Sequence, residues 1–252
     1  MEEYREFIKA HLWREFANFD TDQKKNLPPP PMQKPVPEGA PLVDLVAPEA
    51  LTVGQMPLIE AIRRRRSCRH YSQEPLTLEE LSFLLWATQG ICKTESGEPL
   101  YRGVAALRTV PSGGARHPFE TYLLVQRVVG VQPGLYRYLP LDHKLCLLQP
   151  YDQLAQMLAA RWGTQGFILQ GAVLFIWTVL PYRTEWRYAD VSAKLIAQDS
   201  GHLCQNLYLA SEAIGAGACA VGAYDQQIAD ELLGVDGEDE FVVYMAPVGK
   251  RP

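Results

Sequence analysis

Several things are scarce in this 252-residue chain. No stretch approaches the length of a membrane-spanning helix. The longest apolar run, "GAVLFIWTVL", has ten residues and suits a buried strand. Five cysteines are present, an odd number, and none forms a C-x-x-C pair. That excludes a disulfide framework and a zinc ribbon. The five histidines are scattered without an H-x-x-x-H spacing, so no metal site is expected. The first residues, "MEEYREFIKAHLWREF", are charged throughout and lack the apolar core of a signal peptide. Together these features lead us to expect a cytoplasmic protein with free thiols. A net charge of -5 argues against a global basic field for nucleic acid. Nucleotide loops are missing too. There is no G-x-x-x-x-G-K-[ST], and "GAGAC" follows a helical pattern where a Rossmann turn would precede one. No G-x-S-x-G marks a nucleophile elbow.

What is present is an alternation of helical and strand patterns with hairpins mixed in. The expected class is α+β, a mixed or antiparallel sheet flanked by helices. Residues 1–19 read as a helix, with Tyr4, Phe7, Ile8, Leu12 and Phe16 at helical spacing. Residues 27–41 hold seven prolines and form an extended connector. Residues 1–54 are therefore expected as a helix and arm, and 55–252 as the main domain. "PLIEAIRRRRS" is a helix with Leu58, Ile59 and Ile62 on its apolar side. "SQEPLTLEELSFLLWATQGI" is a second, with Thr77 as N-cap, Glu80 at capping-box spacing and Gly90 at its end. Strands are expected at 120–128, in "GAVLFIWTVL" and in "EFVVYMAPVGK". A hairpin turns at Pro140–Lys144, and "YDQLAQMLAARWG" and "DQQIADELLG" are further helices. The longest helix is "KLIAQDSGHLCQNLYLASEAIG", with a broad apolar face through Leu195, Ile196, Leu203, Leu207, Leu209, Ala210 and Ala213.

Two stretches invite chemistry. "RRRRSCRHY" packs five arginines into seven residues of an acidic chain. It can be a solvated helix end, a nucleic-acid patch or a phosphate site, where arginine forks and the Ser67 hydroxyl would act together. "RTVPSGGARHPFETYLLV" places Pro-Ser-Gly-Gly before a strand. It is either a tight turn or a loop whose glycines let backbone approach a ligand.

These two stretches, followed in order by "AQDSGHLCQNLYLASEAIGAGACAVGAYD" and "APVGK", resemble the nitroreductase-like flavin oxidoreductases. More narrowly, they resemble the SagB-type subgroup that includes azoline dehydrogenases of thiazole/oxazole peptide biosynthesis. The resemblance covers about residues 55–251. It implies FMN as cofactor, hydride transfer in two half-reactions, and a homodimer with FMN at the subunit interface. NAD(P)H or the substrate itself would be the electron donor, with a small molecule or peptide as substrate. It further implies that Arg65, Ser67 and Arg69, with Arg66 between them, hold the phosphate and ribityl chain. Pro111, Ser112, Gly113 and Gly114 would lie along the flavin ring. Val221, Gly222 and Ala223 would offer backbone N–H groups to flavin N5 and O4. Lys250 and Arg251 would face the phosphate, and Asn206 is a further contact. Arg187-Tyr188 stands where azoline-oxidising members carry Lys-Tyr. Arginine is a poor general base, since its pKa exceeds about 12, so the resemblance leaves azoline oxidation and a flavin-binding protein without turnover as alternatives.

Overall fold

The computed structural model describes residues 2–92, 99–102, 105–152 and 166–252. Its frame is a seven-stranded sheet in the order β1-β6-β5-β4-β7-β9-β8. The strands are β1 (Leu42–Asp44), β4 (Phe119–Val125), β5 (Gly134–Leu139), β6 (Lys144–Pro150), β7 (Val173–Val179), β8 (Ala216–Ala218) and β9 (Phe241–Lys250). All neighbouring pairs are antiparallel, so of the two arrangements expected the sheet takes the antiparallel one. A separate small hairpin joins β2 (Tyr101–Arg102) and β3 (Ala105–Ala106).

The central strands β4, β5 and β7 are buried along their whole length, because helices cover both faces. The two-residue period sorts their side chains. Leu123, Phe175 and Trp177 point to one core, with Leu84 and Leu85 of α3 (Leu78–Gln89) and Leu203 and Leu207 of α5 (Ser192–Ala213). Tyr122, Leu124, Leu174 and Ile176 point to the other, with Leu232 and Leu233 of α6 (Gln226–Leu233). Helix α3 starts at the expected capping box. Thr77 Oγ1 accepts the Glu80 N–H at 3.1 Å, and Glu80 Oε2 accepts the Thr77 N–H at 2.9 Å. Gly90 is its C-cap.

The structure corrects two expectations and adds detail to a third. Residues 1–19 do not form one helix. α1 (Glu2–Ile8) is followed by two 3-10 turns, at His11–Arg14 and Phe16–Asn18. An amphipathic helix this short is marginal without a docked face, and here Phe7, Ile8 and Leu12 are exposed. The 3-10 turns instead bring Trp13 and Phe16 onto the domain. Second, α2 (Leu58–Arg64) turns Leu58, Ile59 and Ile62 to solvent, each more than half exposed. Third, the proline segment is bound tightly to the domain it crosses. Prolines break up regular pairing, so nearby carbonyls of the segment accept from arginines. Pro31 O takes Arg183 Nε at 2.9 Å, Met32 O takes Arg108 Nη2 at 2.9 Å, and Pro35 O takes Arg137 Nη2 at 2.6 Å. The expected helix at 151–163 lies mostly outside the described residues. Among the described residues, no helix is long and apolar enough to cross a membrane.

Candidate active site

The arginine-rich stretch is shaped by the end of α2. At Arg65 the backbone turns extended (φ -48°, ψ 121°) and runs beside β8. Ser67 forms a parallel bridge with Ala218, and the Cys68 N–H donates to Ala218 O at 2.8 Å. This close approach needs Gly217, where an added β-carbon would sit 2.5 Å from Cys68 Cβ. The Ser67 hydroxyl lies 3.0 Å from Tyr208 Oη, which also accepts the Ala220 N–H at 2.8 Å. The Arg65 guanidinium lies over the Tyr208 ring at 5.2 Å, and that of Arg69 over Phe167 at 5.8 Å. Neither guanidinium donates a hydrogen bond to a described residue. Arg66 behaves differently. Its Nη1 donates to the carbonyls of Arg63 and Arg65, at 3.0 and 2.7 Å, and so closes the end of α2.

The terminal cations reach the same end of the sheet, since β8 pairs with β9 through Ala216 and Lys250. Both are engaged within the protein. Lys250 Nζ donates to Glu80 Oε1 and to Ile214 O, the latter at 3.0 Å, and Arg251 pairs with Glu212. Val221 exchanges both backbone hydrogen bonds with Met245, so its N–H is already committed. Gly222 and Ala223 are exposed, and a β-carbon on Gly222 would meet open space. Asn206 Nδ2 donates to Ala87 O at 2.8 Å and ties α5 to α3.

The Pro-Ser-Gly-Gly loop sits at the other end of α5. Ser112 Oγ donates to Asp199 Oδ2 at 2.6 Å and accepts the His117 N–H at 2.9 Å. The Gly113 N–H donates to the same carboxylate at 3.0 Å. Burial pushes the Asp199 carboxyl above its ordinary range, and these hydrogen bonds oppose that shift. The loop is conformationally demanding. Gly114, Ala115 and His117 all hold positive φ, at 59°, 55° and 45°. A β-carbon on Gly114 would run into the Tyr188 hydroxyl and come 3.1 Å from Arg187 Cδ. The fold therefore brings Arg187 and Tyr188, at the end of α4 (Tyr182–Tyr188), directly against this loop. Trp13 and Phe16 cover the Tyr188 ring, with centroids at 5.9 and 5.8 Å.

The expected site residues thus form two groups in one chain. One meets α5 at Tyr208, the other at Asp199 and Leu195. Nine residues separate Asp199 from Tyr208, which is two and a half turns. The groups are therefore on opposite sides of the helix, about 13 Å apart along its axis. Asp199 and Tyr208 themselves were not singled out by sequence. A helix carboxylate and a helix tyrosine carry no motif, and their roles depend on which loops pack beside them.

A family comparison decides the identity. Residues 62–250 match the nitroreductase family model. The chain belongs to the nitroreductase family. Its match spans the arginine stretch, the loop, α5 and the last strand. A nitroreductase-type protein of Methanocaldococcus jannaschii is 35% identical over 204 residues, covering 78% of this chain and 96% of that protein. The trifolitoxin-processing protein TfxB of Rhizobium leguminosarum is 27% identical over 169 residues, covering 64% of this chain and 44% of its own length. Among solved structures, a nitroreductase-type protein of Ralstonia eutropha superposes with a TM-score of 0.67 at 26% identity, over 90% of this chain and 99% of that one. As a nitroreductase-family member the protein is an oxidoreductase of a flavin-dependent family.

Proposed function

We propose that this nitroreductase-family protein is an FMN-dependent oxidoreductase working as a homodimer, with each flavin shared between two copies. The observation that carries this reading is the placement of the two residue groups on opposite sides of α5. One ligand can touch both groups only if a second chain supplies one of them.

The residues suit the cofactor. Two guanidiniums and a hydroxyl on one strip match a phosphate dianion, and planar forks bind phosphate oxygens well. Arg65, Ser67 and Arg69 would hold that end, and the exposed backbone at Gly222, beside Ala223, offers an N–H donor. Pro111, Ser112, Gly113 and Gly114 would lie along the ring, on a loop that Asp199 fixes. Lys250 and Arg251 would face the phosphate only on leaving Glu80 and Glu212, with which they are paired here. When bound, FMN supplies the hydride acceptance and donation, while the protein contributes binding, orientation and electrostatics. The Arg187 guanidinium would orient a polar or anionic substrate group. Tyr188 can hold or give a proton at Oη, with Trp13 and Phe16 packed against its ring. The electron donor is NAD(P)H or the substrate itself, and the substrate is a small organic molecule or a peptide.

Heat release of the cofactor followed by chromatography tests the first part, with FMN expected. FAD, or no flavin after reconstitution, would overturn it. Rapid bleaching by NAD(P)H and reoxidation by a quinone or nitro compound would separate an enzyme from a flavin-binding protein without turnover. A second reading, azoline oxidation in peptide modification, is favoured by the position of Arg187-Tyr188 on the loop and by the likeness to TfxB. It predicts that Tyr188→Phe loses oxidation of an azoline-containing peptide while keeping flavin bleaching by NAD(P)H.

A further inference from the structure

Behind the 111–114 loop lies a small cavity of about 20 Å³, roofed by Pro29–Pro31 and walled by Ala115, Arg116 and His117. Its volume takes one water-sized particle and nothing as large as a carboxylate or phosphate. Three guanidiniums line it, those of Arg108, Arg116 and Arg183. Arg108 and Arg183 are 8% and 4% exposed. Among the described residues, the carboxylate they meet is Glu120, 2.5 Å from Arg183 Nη2. Arg108 bonds only neutral acceptors, Gln89 Oε1 at 2.7 Å and Met32 O at 2.9 Å. Arg116 Nε reaches the neutral Gly114 carbonyl at 3.3 Å. Arg183 Nη1 is buried and makes no hydrogen bond to a described residue.

Among the described residues three cations meet one carboxylate, which leaves this region electropositive. Arginine does not shed its charge on burial, so the imbalance persists at neutral pH. An uncompensated buried charge is expensive, and a counter-charge in the cavity relieves that cost. The neighbouring histidine cannot provide it. Burial and the three guanidiniums push the His117 pKa down to about 2, so its ring is neutral.

We propose that this cavity binds one small monovalent inorganic anion of chloride size, held among Arg108, Arg116 and Arg183. The site is separate from the proposed flavin site and does not depend on it. It is cationic and matched in volume to a single monatomic ion, which favours halides over larger oxyanions.

The test compares the wild-type protein in sodium chloride and in sodium gluconate at equal ionic strength. Chloride is expected to raise the melting temperature by about 2–4 °C, following a saturating curve. Bromide should do the same. Arg116→Gln, the least buried of the three, should move the chloride midpoint up about tenfold, and an unchanged midpoint would assign the effect elsewhere and overturn the proposal. Crystals grown in sodium bromide provide the direct readout. An anomalous peak among the three guanidiniums is expected. A cavity holding water alone under molar bromide would overturn the proposal, whatever the melting curves show.

Discussion

At the scale of single residues, Gly114 is the sharpest test of the loop. Its φ of 59° disfavours a branched side chain, and a β-carbon would strike Tyr188. Gly114→Val should lose flavin and melt earlier. An ordinary turn would cost about 1–3 kcal/mol of strain and leave flavin binding intact. Melting temperature and flavin occupancy measured together distinguish the two. Arg65→Ala or Arg69→Ala should each weaken FMN binding by about 1.5–3 kcal/mol, the scale of a hydrogen bond to a charged group. Full flavin occupancy in both after long dialysis would remove them from the phosphate site. His117 makes a pH prediction. Its folded pKa is depressed to about 2, so below its ordinary value of about 6.5 the unfolded chain binds a proton that the folded chain does not. Stability should therefore fall as pH drops below about 6.5, by about 1.4 kcal/mol per pH unit from this group. His117→Asn keeps a residue that tolerates the positive φ and should flatten that part of the curve relative to wild type.

At the scale of elements, α3 and the end of β9 are held by one carboxylate. Glu80 Oε2 closes the capping box on Thr77 while its Oε1 binds Lys250. The two functions separate by substitution. Thr77→Ala should remove the cap and cost about 1 kcal/mol. That corresponds to a melting temperature lower by about 2–4 °C in a domain of this size. Flavin content should not change. Glu80→Gln weakens the ion pair and leaves Lys250 less neutralised, so flavin affinity should hold or rise even as stability falls. A loss of flavin in Thr77→Ala would show that α3 itself positions the cofactor. The strip at 65–69 depends on its neighbour in the same way. It lies flat on β8 because Gly217 has no side chain to hold it off.

At the scale of the whole molecule, one chain leaves a cluster of large apolar side chains on α2 in solvent. Leu58, Ile59 and Ile62 are 63%, 56% and 57% exposed. They border a groove lined by Met56, Phe83, Trp86, Leu209 and Ala213. An apolar patch of this kind marks an association surface, and a second copy would cover it. Light scattering should give about twice the chain mass of 28.3 kDa. Ile62→Glu should shift the protein toward monomer and, on the proposed sharing of each flavin between two copies, release flavin at the same time. A monomeric Ile62→Glu variant that stays yellow would confine the flavin site to one chain.

Much of this architecture is local and so was readable in the sequence. Periodicity marked β4, β7, β9 and α5, because a strand or helix is set by spacing within a few residues. The Thr77 cap and the hairpin turn before Lys144 were also legible, since caps and turns satisfy backbone groups close by in the chain. The two chemically suggestive stretches were visible as residue types, arginines with serine and glycines after proline. What they touch was not. Lys250 meets Glu80 from 170 residues away, and Arg251 meets Glu212. The Ser112–Asp199 contact spans 87 residues. No spacing rule encodes such pairs. The apolar side of α2 could be recognised, but a periodic stripe does not say whether it meets its own sheet or a second chain. The tertiary structure placed it: it filled both faces of the sheet with α3, α5 and α6, left the α2 stripe outside, and set the two halves of the candidate site on opposite sides of one helix, because long-range packing and not local spacing decides which face meets the core.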